Sequence, residues 1–134
     1  MMKKLVLVSH GNFCVELKKS TEMIMGEQED IIAVPLLPEE GQEDFSKKFE
    51  AAVSSFGNDF IVFADILGGT PANVLSKLLM EGRKFDVYTG MNMPMVVSFI
   101  NSMLINSAPK FLDDGKESIL YLNDRLSGDS DDED

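Results

Sequence analysis

Cysteine is almost absent from this sequence, since Cys14 is the only one among 134 residues. No intramolecular disulfide and no cysteine-rich metal cage is therefore available, which excludes the disulfide scaffolds of small secreted proteins. Long apolar runs are also lacking, because no segment approaches the roughly 18 residues that a membrane span needs. The N-terminal stretch MMKKLVLV has too short an apolar part for a signal peptide and runs straight into Ser9-His10-Gly11. We therefore interpret it as a buried strand and expect a cytoplasmic protein.

Positive charge is scarce as well. Twelve Lys and Arg residues face 23 Asp and Glu residues, for a formal net charge of −11. Such a surface repels the phosphates of nucleic acids and anionic lipids, so we expect neither to be bound. Residues 127–134 read SGDSDDED, with five acidic residues and no hydrophobic one. This composition predicts one globular domain over residues 1–126 and a disordered acidic tail over residues 127–134.

The rest of the chain alternates between strand-like and helix-like segments. Apolar runs typical of buried strands occur at residues 5–8, 31–34, 60–64 and 85–88, and a shorter run at 119–122 predicts a late strand. Apolar residues at helical spacing lie between the first four runs. This alternation predicts an α/β fold with a parallel sheet covered by helices on both faces. Ligands of such sheets bind in the loops that follow the strands, so the chemistry is expected there.

His10 is the only histidine of the chain and directly follows the first predicted strand. Its ring is therefore expected at the carboxyl edge of the sheet, where Gly11 leaves space beside it. A neutral imidazole is nucleophilic at cellular pH, because the unperturbed pKa of histidine lies near neutrality. The alternative interpretation is a histidine that caps a helix or fills a polar niche.

Asp65 closes the third predicted strand as His10 closes the first. If these strands are neighbours, the two side chains meet at one edge of the sheet. A carboxylate that accepts the proton of one ring nitrogen fixes the tautomer, aims the other nitrogen outward and stabilises positive charge on the ring. The alternative is an aspartate that caps the following turn, which is a common use of this residue.

The segment Gly68-Gly69-Thr70-Pro71 leads into a predicted helix, with Thr70 as its N-cap and Pro71 as its first residue. Two glycines allow a tight turn and present bare backbone N–H groups, and a helix N-terminus favours negative charge. The segment therefore predicts a cradle for a phosphoryl group, to which the Thr70 hydroxyl adds a hydrogen bond. The same residues would also serve an ordinary strand-to-helix turn.

Several other chemistries lack the residues that they need. A histidine phosphatase requires a second histidine and a cluster of arginines, but the chain has one histidine and only two arginines, Arg83 and Arg125. No arginine follows Cys14 to close a cysteine-phosphatase loop, and this cysteine is interpreted as core filling. Zinc sites use several His or Cys ligands, and no GxxxxGK[ST] loop is present for ATP.

Four segments carry a family resemblance: VSHG at 8–11, GEQE at 26–29, FADILGGTPAN at 63–73 and TGMNMPM at 89–95. In this order and spacing they resemble the mannose-family IIA components of the bacterial sugar phosphotransferase system. The combination of HG after the first strand with DxxGG[ST]PxN after the third is what makes the resemblance specific. It implies a doubly wound four-stranded parallel sheet. It also implies a homodimer in which the late strand lies antiparallel at the sheet edge and is exchanged between subunits.

The resemblance implies a phosphotransferase that acts as a carrier. His10 would accept a phosphoryl group from the phosphocarrier HPr and pass it to a separate IIB component, which phosphorylates sugar arriving through a membrane IIC/IID permease. Asp65 would orient His10, Thr70 would lie near the phosphate together with Gly11, Gly68 and Gly69, and no metal or nucleotide would take part. Two alternatives stay open, a phosphotransfer subunit for dihydroxyacetone kinase and a regulatory binding module on the same fold. The sugar is left unspecified, because the carrier does not contact it.

Overall fold

The computed structural model describes residues 3–132, in which strands and helices alternate up to the fourth helix and two further helices follow. The four strands are β1 (Lys4–His10), β2 (Ile31–Leu36), β3 (Phe60–Ala64) and β4 (Asp86–Thr89). The helices are α1 (Phe13–Met25), α2 (Gln42–Val53), α3 (Thr70–Met80), α4 (Met93–Leu104), α5 (Phe111–Glu117) and α6 (Leu122–Asp132). Among these residues, no helix is both long enough and apolar enough to cross a membrane.

The strands form one parallel sheet in the order β2-β1-β3-β4. β1 is central and pairs with β2 on one side and with β3 on the other. The chain therefore leaves β1 in one direction and later crosses to its opposite side, which places the reversal of strand order between β1 and β3. This confirms the predicted doubly wound four-stranded sheet, and it makes the carboxyl edge of β1 and β3 the expected binding position.

Two hydrophobic cores cover the two faces of the sheet, and the alternation of side chains along β1 assigns its residues to them. Leu5 and Leu7 belong to the core beneath α1, α4 and α5, whereas Val6 and Val8 belong to the core beneath α2 and α3. A strand buried on both faces must be apolar throughout, as the sequence pattern indicated. Burial of each such side chain is worth about 1.5–3 kcal/mol, which makes β1 a rigid support for the residues that follow it.

The predicted late strand at residues 119–122 is wrong for the single chain. Residues 119–121 have no regular structure and Leu122 begins α6. A strand needs a neighbouring strand for its backbone hydrogen bonds, and within the described residues β4 pairs only with β3. The apolar run therefore lies on the surface, where the Ile119 side chain is 81% exposed.

The last helix, α6, continues to Asp132, and residues 133 and 134 lie outside the described part. The division into a domain over residues 1–126 and a disordered acidic tail over residues 127–134 stays a prediction. The backbone hydrogen bonds of a helix are formed within the segment itself. A composition that excludes burial in a core therefore does not by itself exclude helix.

Candidate functional site

His10 and Asp65 meet at the carboxyl edge of the sheet because of the register between β1 and β3. Val8 lies opposite Ala64, so the next residues of both strands emerge at the same edge. His10 Nδ1 lies 2.8 Å from Asp65 Oδ2, and the backbone N–H of His10 donates to the same oxygen at 2.9 Å. The predicted pairing of these two side chains is therefore present in the structure.

The Asp65 carboxylate is held in its charged form by its hydrogen bonds. Its side chain is only 12% exposed, and this burial acts to raise the pKa. The backbone N–H and ring of His10, together with the Ile66 N–H that donates to Oδ1 at 2.9 Å, outweigh burial and hold the pKa of Asp65 below its ordinary value. At neutral pH Asp65 is therefore ionised and acts only as an acceptor of hydrogen bonds.

An ionised acceptor determines which nitrogen of His10 carries the proton. Since Asp65 Oδ2 cannot donate, Nδ1 must be protonated to make the 2.8 Å hydrogen bond in the neutral ring. Nε2 then keeps its lone pair. With the His10 side chain 46% exposed, this nitrogen is open to attack an electrophile delivered from outside.

The ring of His10 lies against the start of α3. A Cβ placed on Gly69 would come within 2.9 Å of Nε2 and 2.4 Å of Cε1, so the Gly69 backbone touches the edge of the ring. Gly69 is the N-cap of α3, which makes Thr70 the first helical residue rather than the predicted N-cap and shifts Pro71 to the second position. Nε2 therefore faces a helix N-terminus, whose unpaired N–H groups and dipole favour an anion.

Glycines form tight turns in the two loops of the site, the one after β1 and the one after β3. Gly11 has φ +59° and donates its N–H to Leu36 O at 2.7 Å, and Gly68 has φ +87°. Both values lie in the left-handed region that favours glycine. Asn73 donates its N–H to Gly69 O at 2.8 Å and so makes the first hydrogen bond of α3. The structure therefore brings Gly11, Gly68 and Gly69 to the site, with Thr70 at the same helix end. Their contacts with a phosphoryl group stay predictions.

Ser9 is a supporting residue that the sequence analysis did not identify. Its side chain is fully buried, and its Oγ accepts the N–H of Cys14 at 2.8 Å while donating to Gly11 O at 3.0 Å. These two bonds hold the turn that carries His10 between β1 and α1. The sequence did contain a signal for this role, because a serine stands directly before the histidine and close to the start of the next helix. Serine side chains commonly form hydrogen bonds with nearby backbone groups.

Cys14 itself takes no visible part in the site. Its side chain lies in the core beneath α1, as predicted. Burial is the largest influence on the thiol and raises its pKa, which disfavours the nucleophilic thiolate. Within residues 3–132 there is also no group of three or more His, Cys, Asp and Glu side chains placed to hold a metal ion.

Three large apolar side chains are exposed next to the site in sequence. Phe13 opens α1 three residues after His10 and is 49% exposed, while Ile66 and Leu67 directly follow Asp65 and are also exposed, Leu67 by 79%. These residues were not predicted to be functional, although apolar residues in a loop beside a candidate nucleophile were a usable signal. Large apolar side chains exposed beside a candidate site are typical of protein interaction surfaces.

Comparison with known proteins gives a consistent result. The sequence model of the family described as PTS system fructose IIA component matches residues 4–115. The fructose-specific EIIA component of Bacillus subtilis is 30% identical over 102 residues, which cover 75% of this chain and 70% of that protein. The mannose-specific EIIAB component of Escherichia coli is 30% identical over 95 residues, or 69% of this chain but only 29% of that protein.

A solved structure is similar over nearly the whole chain. The crystal structure of phosphotransferase system component EIIA from Streptococcus agalactiae aligns with a TM-score of 0.80 at 29% identity. The alignment covers 91% of this chain and 98% of that one. The two chains therefore share the overall fold.

Proposed function

The chain belongs to the family of PTS system fructose IIA components, and from this membership we propose that it is the cytoplasmic phosphocarrier of a sugar-uptake phosphotransferase system. In this role it takes a phosphoryl group from phospho-HPr on His10 and passes it to a IIB component, which serves a IIC/IID permease. One observation carries the proposal. His10 Nδ1 is bound to the ionised Asp65 at 2.8 Å, which leaves Nε2 free beside the N-terminus of α3.

The proposed transfer is a nucleophilic substitution at phosphorus. The lone pair of His10 Nε2 forms the new bond to phosphorus, and the bond between phosphorus and the donor side chain breaks, with its electrons leaving to the donor. The ring becomes positively charged as the bond forms, and the Asp65 carboxylate on Nδ1 stabilises this charge. The N-terminus of α3 faces the phosphoryl oxygens and stabilises their negative charge. The second transfer, to the IIB component, is the same step in reverse.

The surface around His10 supports transfer between proteins. Phe13, Ile66 and Leu67 expose apolar area beside a nucleophile that is itself half-exposed. A partner protein that covers these side chains excludes water from the phosphoryl group during transfer and gains affinity from their burial. Such a site needs no deep cavity, because the substrate is a side chain presented by another protein.

Incubation with phosphorylated HPr tests the proposal. We expect one phosphoryl group per chain by mass spectrometry of the intact protein under mildly basic conditions, followed by its loss when a IIB component is added. HPr without phosphate is the control. A chain that stays unmodified would contradict the carrier role. Delivery of the phosphoryl group to a dihydroxyacetone kinase subunit, and not to IIB, would favour the alternative phosphotransfer function.

A homodimer is the second part of the proposal. The run at residues 119–122 and Leu126 expose several large apolar side chains, and β4 has an outer edge without a partner within the described residues. An exposed apolar run and an open edge strand together favour pairing with a second chain. Exchange of the run between subunits, in which it would become the predicted antiparallel edge strand, is a separate part of the same hypothesis.

Light scattering after gel filtration checks the dimer at micromolar concentration. We expect a mass of twice 14.9 kDa for the wild type. Replacement of Ile119 and Leu120 by serine is expected to shift the mass toward the monomer, because both side chains are exposed in the single chain. The matched control replaces Met23 and Ile24, which are equally exposed on α1, and is expected to leave the mass unchanged. A monomeric wild type would contradict the dimer.

The acidic segment at residues 127–134 is proposed to be dispensable for folding and transfer. Its composition offers no apolar area for burial, so its removal costs no hydrophobic stabilisation. We expect a chain that ends at Leu126 to keep the Tm of the full chain within about 2 °C, which corresponds to well under 1 kcal/mol for a domain of this size. Differential scanning calorimetry and the rate of phosphorylation by HPr check this. A Tm lower by several degrees would show that the segment packs against the domain.

A further inference from the structure

The backbone conformation of residue 69 does not require glycine. Its φ is −95° with ψ 171°, which is extended backbone that any residue adopts. What distinguishes Gly69 is how close the side chain of His10 lies to it. A Cβ added here would lie 2.4 Å from Cε1, 2.9 Å from Nε2 and 3.6 Å from Nδ1 of His10. The three atoms nearest to such a Cβ all belong to the imidazole ring, so the absence of a side chain at residue 69 leaves room for this ring.

The N-cap of α2 provides the comparison. Gly41 is also a glycine N-cap, with extended φ of −109°, and an added Cβ there would meet nothing within 4 Å. The two positions are alike in backbone and in their place on a helix, and they differ in the presence of the histidine. Helix capping alone therefore does not explain the close approach at Gly69.

We infer that Gly69 is a positioning residue for His10: its bare Cα forms the wall against which the ring rests, so that Nδ1 stays on Asp65 and Nε2 faces α3. The ring is held from one side by the 2.8 Å bond to Asp65 and bounded on the other by Gly69. A methyl group at residue 69 would meet the free end of a half-exposed side chain rather than rigid backbone. The ring would therefore move while the fold persists, and its alignment with Asp65 would be lost.

The inference rests on the proposed function for its effect on transfer, but its structural part is independent of any partner. In the wild type, the ¹⁵N signals of the His10 ring are expected to show the proton on Nδ1. In Gly69→Ala these signals are expected to move toward a mixture of tautomers, because Nδ1 leaves the carboxylate. Gly41→Ala loses the same glycine N-cap and is expected to keep the wild-type ring signals.

The rate of phosphorylation by phospho-HPr gives the second measurement. We expect a fall of about tenfold or more in Gly69→Ala, the consequence of a lost hydrogen bond to a charged group. Gly41→Ala is expected to stay within about twofold of the wild type, with a similar small change in Tm from alanine at a helix N-cap. Wild-type ring signals together with a wild-type rate in Gly69→Ala would overturn the inference.

A measurement on the wild type alone guards against a variant that fails to fold. The contact predicts a nuclear Overhauser effect between the Hε1 proton of His10 and the Hα protons of Gly69, and its absence would overturn the inference. A wild type that shows this contact and the Nδ1 proton, yet takes no phosphate from HPr, would contradict the proposed carrier role and leave the positioning of His10 by Gly69 in place.

Discussion

Replacement of His10 by alanine is expected to abolish phosphorylation by phospho-HPr completely. His10 is the only histidine of the chain, so no second imidazole replaces it. Cys14 offers no substitute nucleophile, since its thiol is buried and burial raises its pKa. The variant is expected to fold, because the backbone N–H of residue 10 and that of Ile66 still donate to the Asp65 carboxylate. Mass spectrometry of the intact protein after incubation with phospho-HPr measures the effect.

The chemical stability of the attached phosphoryl group provides an independent test that it is bound to His10. A phosphoryl group on nitrogen is expected to survive mild base and to be lost in acid, whereas a phosphoserine or phosphothreonine behaves in the opposite way. Ser9→Ala is not a suitable control, because Ser9 holds the turn that carries His10. Thr21→Val removes a buried hydroxyl of α1 that donates to Leu17 O, away from His10, and full phosphorylation is expected in this variant. Stoichiometric phosphate on His10→Ala would refute the proposed function.

Replacement of Asp65 by asparagine is expected to slow phosphoryl transfer by about one to two orders of magnitude. Asparagine keeps the size of the side chain but removes the charge that stabilises the ring as Nε2 attacks. Hydrogen bonds to charged groups are worth about 1.5–3 kcal/mol, and the full loss of this amount from the transition state gives the stated range. Single-turnover phosphorylation by phospho-HPr measures the rate.

The matched control for this change is Asp59→Asn. Asp59 lies just before β3, at the opposite end of the strand from Asp65, and forms an exposed ion pair with Lys3 at 3.6 Å. Exposed pairs contribute little, so we expect an unchanged rate and Tm. An unchanged rate in Asp65→Asn would leave the carrier role standing and remove Asp65 from the mechanism.

The contribution of Asp65 to the stability of the wild type, measured against Asp65→Asn, is expected to depend on pH in a defined direction. The pKa of Asp65 is lowered in the folded protein, with its hydrogen bonds to His10 and Ile66 outweighing burial. Its ionised form therefore stabilises the fold fully above the ordinary value of 3.8, and this contribution is lost as the pH falls through the lowered pKa. The difference in Tm between wild type and variant is expected to be largest near neutral pH and to shrink in acid.

The sequence by itself predicted the parts of the fold that follow local rules. A strand buried on both faces must be continuously apolar, which made the runs later seen as β1 and β3 recognisable. The alternation of strands with helices then implied parallel pairing, and parallel pairing implied that residues following the strands share one edge. His10 and Asp65 were predicted to meet for this reason, and β1 and β3 are indeed neighbours.

The predictions failed where an outcome depended on contacts distant along the chain. The run at residues 119–122 has the composition of a strand, yet whether it becomes one depends on an available sheet edge and not on its own residues. The N-cap of α3 fell one residue earlier than predicted, at Gly69, because the backbone of Gly69 is still extended and Thr70 already belongs to the helix.

The proposed nucleophile and its partner were therefore identified from the sequence, through the position of His10 and Asp65 at the ends of two apolar strands. The tertiary structure alone decided how the ring is aimed. Three contacts set its orientation: the hydrogen bond to Asp65, the buried Ser9 that holds the turn, and the bare Cα of Gly69. The contacts with Asp65 and Gly69 join separate loops, whose distance depends on packing, and hydrophobic periodicity carries no information about distances of a few ångströms between such loops.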